Sequence, residues 1–479
     1  MAAIDGTIVN VALPSIEHEL GGGLAAQQWV SNGYLLTLGS LLLIGGSLGD
    51  IYGERRIFSI GLLAFGAFSI VCAAAPTIGV LLVARACQGA AAALLMPSSL
   101  AVIVAAFTRT ERGKAIGAWT AWGAIATIVG PLAGGLIIDV ASWRWIFAIN
   151  PPLIAITLTL VRMAVPPAPE GRRRHVDLPG AGLCAAGLAG VVFALIEQPH
   201  YGWSSPAILL PLVLGLAALV AFVAYERRAA EPMLKLSLFG HRNFSIGNLQ
   251  TLTMYAGLSA LFFFLVIFLQ QVAGYSALRS GLATLPSTAV MFLLSRRFGA
   301  LADRYGPRLF MGLGPLVAAC GILLLLRTGA HTSFVGDLVP ALLLFGLGLS
   351  MTVAPLTATV LADADERDAG IASAINNDIA RVAGLVGISI VGVIAASTLK
   401  GDTLVANAAS VRAFHYALLF CAALLVAGGV TAALGIVNPR RMVRAKDCAG
   451  GQLVSAPKPA AGCQEQPTEA EPELVAVDS

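Results

Sequence analysis

Charge is what this sequence has least of. Asp, Glu, Lys and Arg make up 12% of its 479 residues, where a soluble domain carries roughly a quarter, so a water-facing surface is excluded for most of the chain. The net charge of +4 is too small and too evenly divided to suggest a nucleic-acid partner. Cysteine is sparse as well. The seven (Cys72, Cys87, Cys184, Cys320, Cys421, Cys448, Cys463) are scattered without a CxxC pair, which indicates neither a disulfide framework nor a zinc site. The six histidines fall in loops or near span ends without ligand spacing, so no metal is expected. A GxxxxGK[ST] loop is missing, which argues against an intrinsic ATPase domain. Nothing in the sequence calls for a cofactor or for covalent catalysis, so an enzyme is not expected.

What is there is apolar sequence. Hydrophobic residues reach 57% and mean hydropathy is +0.83. A hydrocarbon core about 30 Å thick takes about 20 apolar residues per helix. Runs between turn and charge signals predict spans at residues 1–16, 29–50, 57–75, 77–105, 113–139, 143–164, 178–198, 206–225, 243–272, 280–300, 309–327, 335–361, 370–398 and 412–437. Many of the 52 glycines lie inside these runs, as suits bilayer helices that pack through small faces. The first run is short, since sixteen residues rise only about 24 Å, and it reads as a helix that Met1 enters part-way. With no basic leader or cleavage site before it, a signal peptide is not expected.

Lys and Arg accumulate on the cytoplasmic side of membrane proteins. Here they crowd the even-to-odd loops and the tail. The opposite loops hold Arg144, Arg279, Arg327, Lys400 and Arg412, and Arg85 and Arg381 lie within spans. Both termini are therefore expected in the cytoplasm, in a multi-pass protein of the plasma membrane. The Ala-, Pro- and Glu-rich tail, 438–479, reads as disordered.

One loop occurs twice. Gly46-Ser-Leu-Gly-Asp50-Ile-Tyr-Gly53 returns as Gly299-Ala-Leu-Ala-Asp303-Arg-Tyr-Gly306, each copy at the end of a span and each with arginine close by (Arg55 and Arg56; Arg304). Two related halves follow, an arrangement in which secondary transporters set a site near the bilayer midplane.

These residues resemble the major facilitator superfamily, and within it the fourteen-span drug/proton antiporters. Gly46 to Arg56 looks like the superfamily's loop signature after its second helix, which implies conformational gating by Gly46, Asp50, Gly53, Arg55 and Arg56 and, in the second copy, Asp303 and Arg304. Ile51 stands where an arginine is usual, and Glu54 replaces a basic residue. Asp5-Gly-Thr7-Ile-Val-Asn10-Val-Ala-Leu-Pro14 is similar to the first-helix signature, and Leu81 to Arg85 with Gln88, Gly89 and Ala93 to the fourth. Gly117, then Gly130-Pro131-Leu-Ala-Gly134-Gly135, resembles the fifth-helix antiporter signature, with Ala126 in place of one glycine. The resemblance implies an all-α membrane protein with the major facilitator fold. Its two six-helix halves would be 1–164 and 243–437, with two extra central helices and their linkers in 165–242.

Charge within a bilayer costs roughly 2.5–3.5 kcal/mol per group on insertion scales unless it is paired or wetted. Asp5 and Asp378 are the acids well inside spans, and Arg85 and Arg381 the bases. Asp139 and Glu197 lie nearer span ends and read as interfacial. Asp5 is the first candidate for reversible protonation, because a partly desolvated carboxylate can take a proton from one side and release it to the other. The resemblance implies proton coupling for Arg85, whose guanidinium stays cationic. Asp378 and Arg381 are further candidates for proton coupling, and, three apart on one helical face, they could instead pair locally. Asn10, Gln88, Asn376 and Asn377 are candidates for the wall of a substrate cavity, with Trp119, Trp122 and Phe262 as aromatic neighbours. The expected activity is proton-coupled export of hydrophobic or cationic small organic molecules by a monomer in the lipid bilayer. A nutrient uptake symporter of the same fold is the first alternative, and a non-transport receptor or scaffold the second.

Overall fold

The structure is a computed structural model and describes residues 2–107, 109–165, 177–229, 232–362, 369–399 and 403–438. The expected tail and the Arg172–Arg174 loop lie outside the described residues. Fourteen helical segments run through the rest: α1 (Ala2–Leu20), α2 (Gly23–Tyr52), α3 (Glu54–Ala73), α4 (Ile78–Ala106), α5 (Arg109–Val140), α6 (Trp145–Ala148 and Asn150–Ala164), α7 (Leu178–Tyr201), α8 (Pro206–Glu226), α9 (Arg242–Gln271), α10 (Ala277–Ala283 and Leu285–Tyr305), α11 (Pro307–Leu324), α12 (a π turn Phe334–Leu338, then Val339–Ala362), α13 (Ala369–Ala396) and α14 (Ala408–Gly435). Each predicted span falls on one of them.

Among the described residues, eleven of these helices are long and apolar enough to cross a membrane, and α2 makes twelve if its two pieces, bent by 50°, form one span. The remaining two carry more charge, with Asp5, Glu17 and Glu19 on α1 and Arg109, Glu111, Arg112, Lys114 and Asp139 on α5. The interruptions have local causes. Pro151 and Pro152 open the second piece of α6, Pro286 opens that of α10, and prolines are tolerated at such first-turn positions because their missing N–H has no partner to lose there. The bend in α2 falls beside the Gly45-Gly46 pair, one of the recognised causes of a kink. A Cβ on Gly45 would lie 2.1 Å from the Ala93 carbonyl oxygen, and one on Gly89 2.3 Å from that of Tyr34, so glycine sets the α2–α4 separation.

The duplicated loop is duplicated in shape. Gly53 ends α2 at φ 88° and Gly306 ends α10 at φ 94°, a region that only glycine enters easily. Each N–H donates back four residues, to Gly49 at 2.9 Å and Ala302 at 2.8 Å. Two residues beyond each glycine, an arginine reaches the end of its half's sixth helix. Arg55 donates to the Arg162 carbonyl of α6 at 3.2 Å and Arg308 to the Ala433 carbonyl of α14 at 2.6 Å, where the last-turn carbonyls have no helical partner.

The largest hydrophobic core gathers around α9, whose Phe268 stacks on Phe414 of α14 with ring centroids 4.0 Å apart. The accessory pair α7–α8 is joined through glycine: a Cβ on Gly190 would meet the Pro211 carbonyl oxygen at 2.4 Å. This pair packs on α2 and α13, with Leu188, Val192 and Ile196 against Leu385. Glu197 accepts from Trp29 Nε1 of α2 at 2.8 Å, so its carboxylate is held by the protein rather than left to interfacial water.

Candidate functional site

The first and fourth helices bring Asp5 and Arg85 together. Arg85 Nη1 lies 2.6 Å from Asp5 Oδ2, and both side chains are essentially sealed, at 1% and 0% exposure. The same Nη1 donates to Gln88 Oε1 at 2.6 Å, a partner one helical turn along α4, and Nε donates to the Val30 carbonyl of α2 at 3.2 Å. Gln88 Nε2 in turn donates to Asp5 Oδ1 at 3.3 Å and to Ser69 Oγ of α3 at 2.8 Å. Asn150, at the α6 break, donates to the same Ser69 oxygen at 3.2 Å. The Tyr34 ring packs against the guanidinium carbon, 4.3 Å from its centroid, and supplies a π face to the cation. Five of the six helices of the N-terminal half thus meet at one charge pair.

Such a cluster is stable only as a whole. A buried ion pair holds when further hydrogen bonds satisfy both partners, and removing one partner costs about 3–5 kcal/mol by leaving the other charged and alone. Sequence reasoning found Asp5, Arg85 and Gln88. It missed Tyr34, Ser69 and Asn150, although a serine and an asparagine inside apolar runs are the sort of polar groups that seek a buried partner.

Beside this cluster lies a central cavity of about 380 Å³, bounded by both halves. Arg85 and Tyr34 form part of its wall, so the charge pair borders the space without standing in it. Asn10, Thr7 and Ser31 of α1 and α2 face Ser259, Thr284, Ser287 and Thr288 of α9 and α10, with Phe262 and Met291 among the apolar residues between them. The wall is mostly hydrophobic with scattered hydroxyls and amides, the usual make-up of a small-molecule site.

Placement separates the other sequence candidates. Asn10 and Phe262 line the central cavity as expected. Gln88 does not; it is fully buried in the charge cluster. Asn376 does not line it either; its amide donates to Asn248 Oδ1 at 3.0 Å and Thr251 Oγ1 at 2.8 Å of α9. Asn377 is exposed and donates to the Ser373 carbonyl of its own helix. Trp119 and Trp122 are exposed on α5 and lie outside the cavity wall. The local Asp378–Arg381 pair is not formed either. Arg381 Nη2 points to Met96 Sδ of α4 at 2.7 Å, while its Nε and Asp378 Oδ1 are both buried without a hydrogen-bond partner. One turn of separation permits such a pair but does not enforce it, and here tertiary packing draws the arginine toward α4.

The two halves meet closely at one end of the bundle. Asp139, at the end of α5, accepts from the backbone N–H groups of Ala277 and Leu278, both at 3.0 Å, and so caps the first piece of α10 from across the interface. The glycine signature lies beneath this clasp. A Cβ on Gly135 would be 2.6 Å from Leu278 Cα, and one on Gly281 2.5 Å from the Pro131 carbonyl oxygen. Gly130 and Gly134 serve α1 instead, facing Thr7 and Ile8 at 2.2 and 2.3 Å. At the same end Gln28 and Asn32 of α2 donate across to α13, Asn32 to Ser389 Oγ at 2.9 Å. Glu19 accepts from Trp143 Nε1 at 2.6 Å and pairs with Arg144, tying α1 to the α5–α6 turn.

Toward the other end fewer contacts join the described residues. Cβ atoms added at Gly117 and Gly123 of α5 would meet nothing within 4 Å, and Phe292 of α10 both lines the cavity and is 62% exposed. The Asp139 clasp and the glycine contacts beneath it close the cavity at one end, and the duplicated loops lie at the other. There Asp50, Arg56, Asp303 and Arg304 lie at the surface, with Arg304 over the Tyr305 ring at 5.5 Å.

Comparison with known proteins agrees with this architecture. The chain is 38% identical over 402 residues to the puromycin resistance protein pur8 of Streptomyces alboniger, covering 82% of this chain and 79% of that one. It is 33% identical over 408 residues to the cephamycin export protein CmcT of Amycolatopsis lactamdurans, covering 84% of each. Among solved structures, an autoinhibited peptide transporter of the POT family superposes with a TM-score of 0.63 at 16% identity, over 92% of this chain and 96% of that one, a likeness of fold. Residues 1–388 match the family described as Major Facilitator Superfamily, and with the two halves, the accessory pair and the central cavity now in place, this chain belongs to it.

Proposed function

We propose that the protein exports hydrophobic or cationic small organic molecules in exchange for protons, by alternating access to the central cavity, as a single chain in the plasma membrane. The observation that supports this reading is the sealed Asp5–Arg85–Gln88 cluster, whose Arg85 forms part of the wall of that cavity. Its relatives' names, resistance to puromycin and export of cephamycin, supply the direction and the kind of cargo. The arginine-rich loops at the Asp50 end mark it as cytoplasmic, with both termini on that side. The cavity is then closed on the outer side.

The chemistry follows from charge. With Asp5 ionised, its carboxylate and the permanent Arg85 cation sum to zero, and the cavity wall tolerates a cationic or neutral solute. A proton on Asp5 leaves Arg85 uncompensated, so the wall becomes net positive in a medium where charge is poorly screened. A cationic solute is then repelled, and for any solute Arg85 loses its strongest acceptor, which frees α1 and α4 to shift. Protonation and cargo binding exclude one another, and that exclusion is what antiport requires. The α5–α10 contact at Gly135 and Gly281 is the element that must part for the outward state, and the loops around Asp50 and Asp303 must then close. Asp378 and Arg381, off the central cavity and unpaired, take no part in this cycle.

Reconstituted vesicles test the reading. A lipophilic cationic dye should move against its gradient when the compartment on the Asp139 side is acidic, and Asp5→Asn should abolish the dependence on pH. Dye movement indifferent to either gradient polarity in the unmodified protein would remove the antiport reading.

A further inference from the structure

A second cavity, of about 430 Å³, lies where the accessory pair meets both halves. Its wall takes Ser40 from α2, Cys184 and Phe222 from α7 and α8, Asn248 and Leu252 from α9, and Asp378 from α13. The central cavity shares none of these residues.

The polar groups on this wall are nearly all committed. Ser40 donates to the Leu36 carbonyl at 2.7 Å, and Ser245 to that of Phe239. Asn248 donates to the Phe244 carbonyl at 2.9 Å and accepts from Asn376 at 3.0 Å. Apart from the weak Cys184 thiol, this leaves the carboxylate of Asp378, which forms no ion pair among the described residues and whose Oδ1 is buried without a hydrogen-bond partner. The nearest cation on its own helix, Arg381, is turned to Met96 and does not line the cavity. An ionised acid in apolar surroundings is unfavourable unless something neutralises it. The volume is that of a small-molecule site, within the range of about 300–1,000 Å³.

We infer that this cavity is a second ligand site, selective for a protonated lipophilic amine whose N–H donates to Asp378 while its hydrocarbon body fills the space between α2, α7–α8, α9 and α13. A neutral solute of the same shape gains the apolar contact but leaves the acid unpaired. A quaternary ammonium neutralises it without a hydrogen bond. The chemistry therefore ranks tertiary amine above quaternary ammonium above neutral isostere. The site goes beyond the export reading and does not depend on proton-driven flux.

Photocrosslinking of the full-length protein in nanodiscs tests it. The probe is a diazirine-bearing dimethylalkylamine, and its neutral ether isostere controls for labelling from the bilayer. The amine should label peptides containing Leu249–Leu252 and Ile379–Val382 in the unmodified protein and in Asp378→Glu. Labelling should fall at least tenfold in Asp378→Asn, to the level of the ether, with melting temperature verifying that each variant is folded. Amine labelling at these peptides that is equal in Asp378→Asn, or that appears only around Phe262 and Met291, overturns the proposal. Asp5→Asn should leave this labelling intact. Absence of pH-driven flux in the unmodified protein, with its amine labelling present, would sink the antiport reading alone, and the converse would sink the amine site alone.

Discussion

Asp5 and Asp378 are both carboxylates enclosed by helices, and they are partnered in opposite ways. Asp5 meets a guanidinium and an amide from α4, and those groups are themselves held by α2 and α3. Asp378 meets hydrocarbon on most sides and an arginine that has turned elsewhere. The difference separates two uses of a buried acid. A fully networked one stores a conformation, because changing its charge dismantles contacts among several helices at once. An orphaned one stores affinity, because it is improved by whatever brings it a partner.

The largest expected effect tests that contrast on the cationic side. Arg85→Leu leaves Asp5 charged and alone in a sealed site and should destabilise the protein by about 3–5 kcal/mol, seen as a large drop in melting temperature of the purified protein. Arg381→Leu removes a guanidinium whose Nε is unpartnered and whose Nη2 donates to a thioether, a weak acceptor, and should cost much less. Equal losses from the two substitutions would erase the distinction. Next comes the acidic side. Asp5→Asn should eliminate the response of dye flux to a pH gradient, whereas Asp378→Asn should retain it and alter which amines bind.

How far this contrast could be read beforehand depends on the kind of interaction. Hydropathy alone marks Asp5, Arg85, Asp378 and Arg381 as the charges inside spans, since each interrupts a long apolar background. The Arg85–Gln88 bond lies one helical turn apart and is local. The bond to Asp5 is not, because eighty residues separate the partners and no periodicity links α1 to α4; the resemblance marks each residue without pairing them. Spacing misleads at Asp378 and Arg381, where a permitted local pair loses to Met96 on another helix. The fold was more legible than the site, since span count and duplicated halves follow from apolar length and one repeated loop. The Asp139 clasp was not, for a carboxylate near a span end looks interfacial until the N-terminus of α10 is set against it.

A smaller effect sharpens the comparison between the two ends of the bundle. Gly281→Val places a Cβ against the Pro131 carbonyl oxygen, 2.5 Å away, where nothing but separation of α5 from α10 relieves the overlap. Spin labels at Val140 and Arg279 should report a longer distance than in the unmodified protein, whereas Gly117→Val, with nothing within 4 Å, should leave it unchanged.

The smallest effect concerns the two halves themselves. Arg55 and Arg308 occupy equivalent places after the duplicated loop and reach the carbonyl ends of equivalent helices, α6 and α14. A cation at a helix C-terminus contributes about 0.3–1 kcal/mol when solvent-exposed. Arg55→Ala and Arg308→Ala should each lower stability by that amount and add in the double variant, because the sites share no partner. The α14 end has a second donor in Arg242, which reaches the Gly435 carbonyl at 2.8 Å, so Arg308→Ala should be the milder of the two. If it is instead the more damaging, the equivalence of the two loops ends at backbone shape, and the C-terminal copy carries a load that the repeat does not explain.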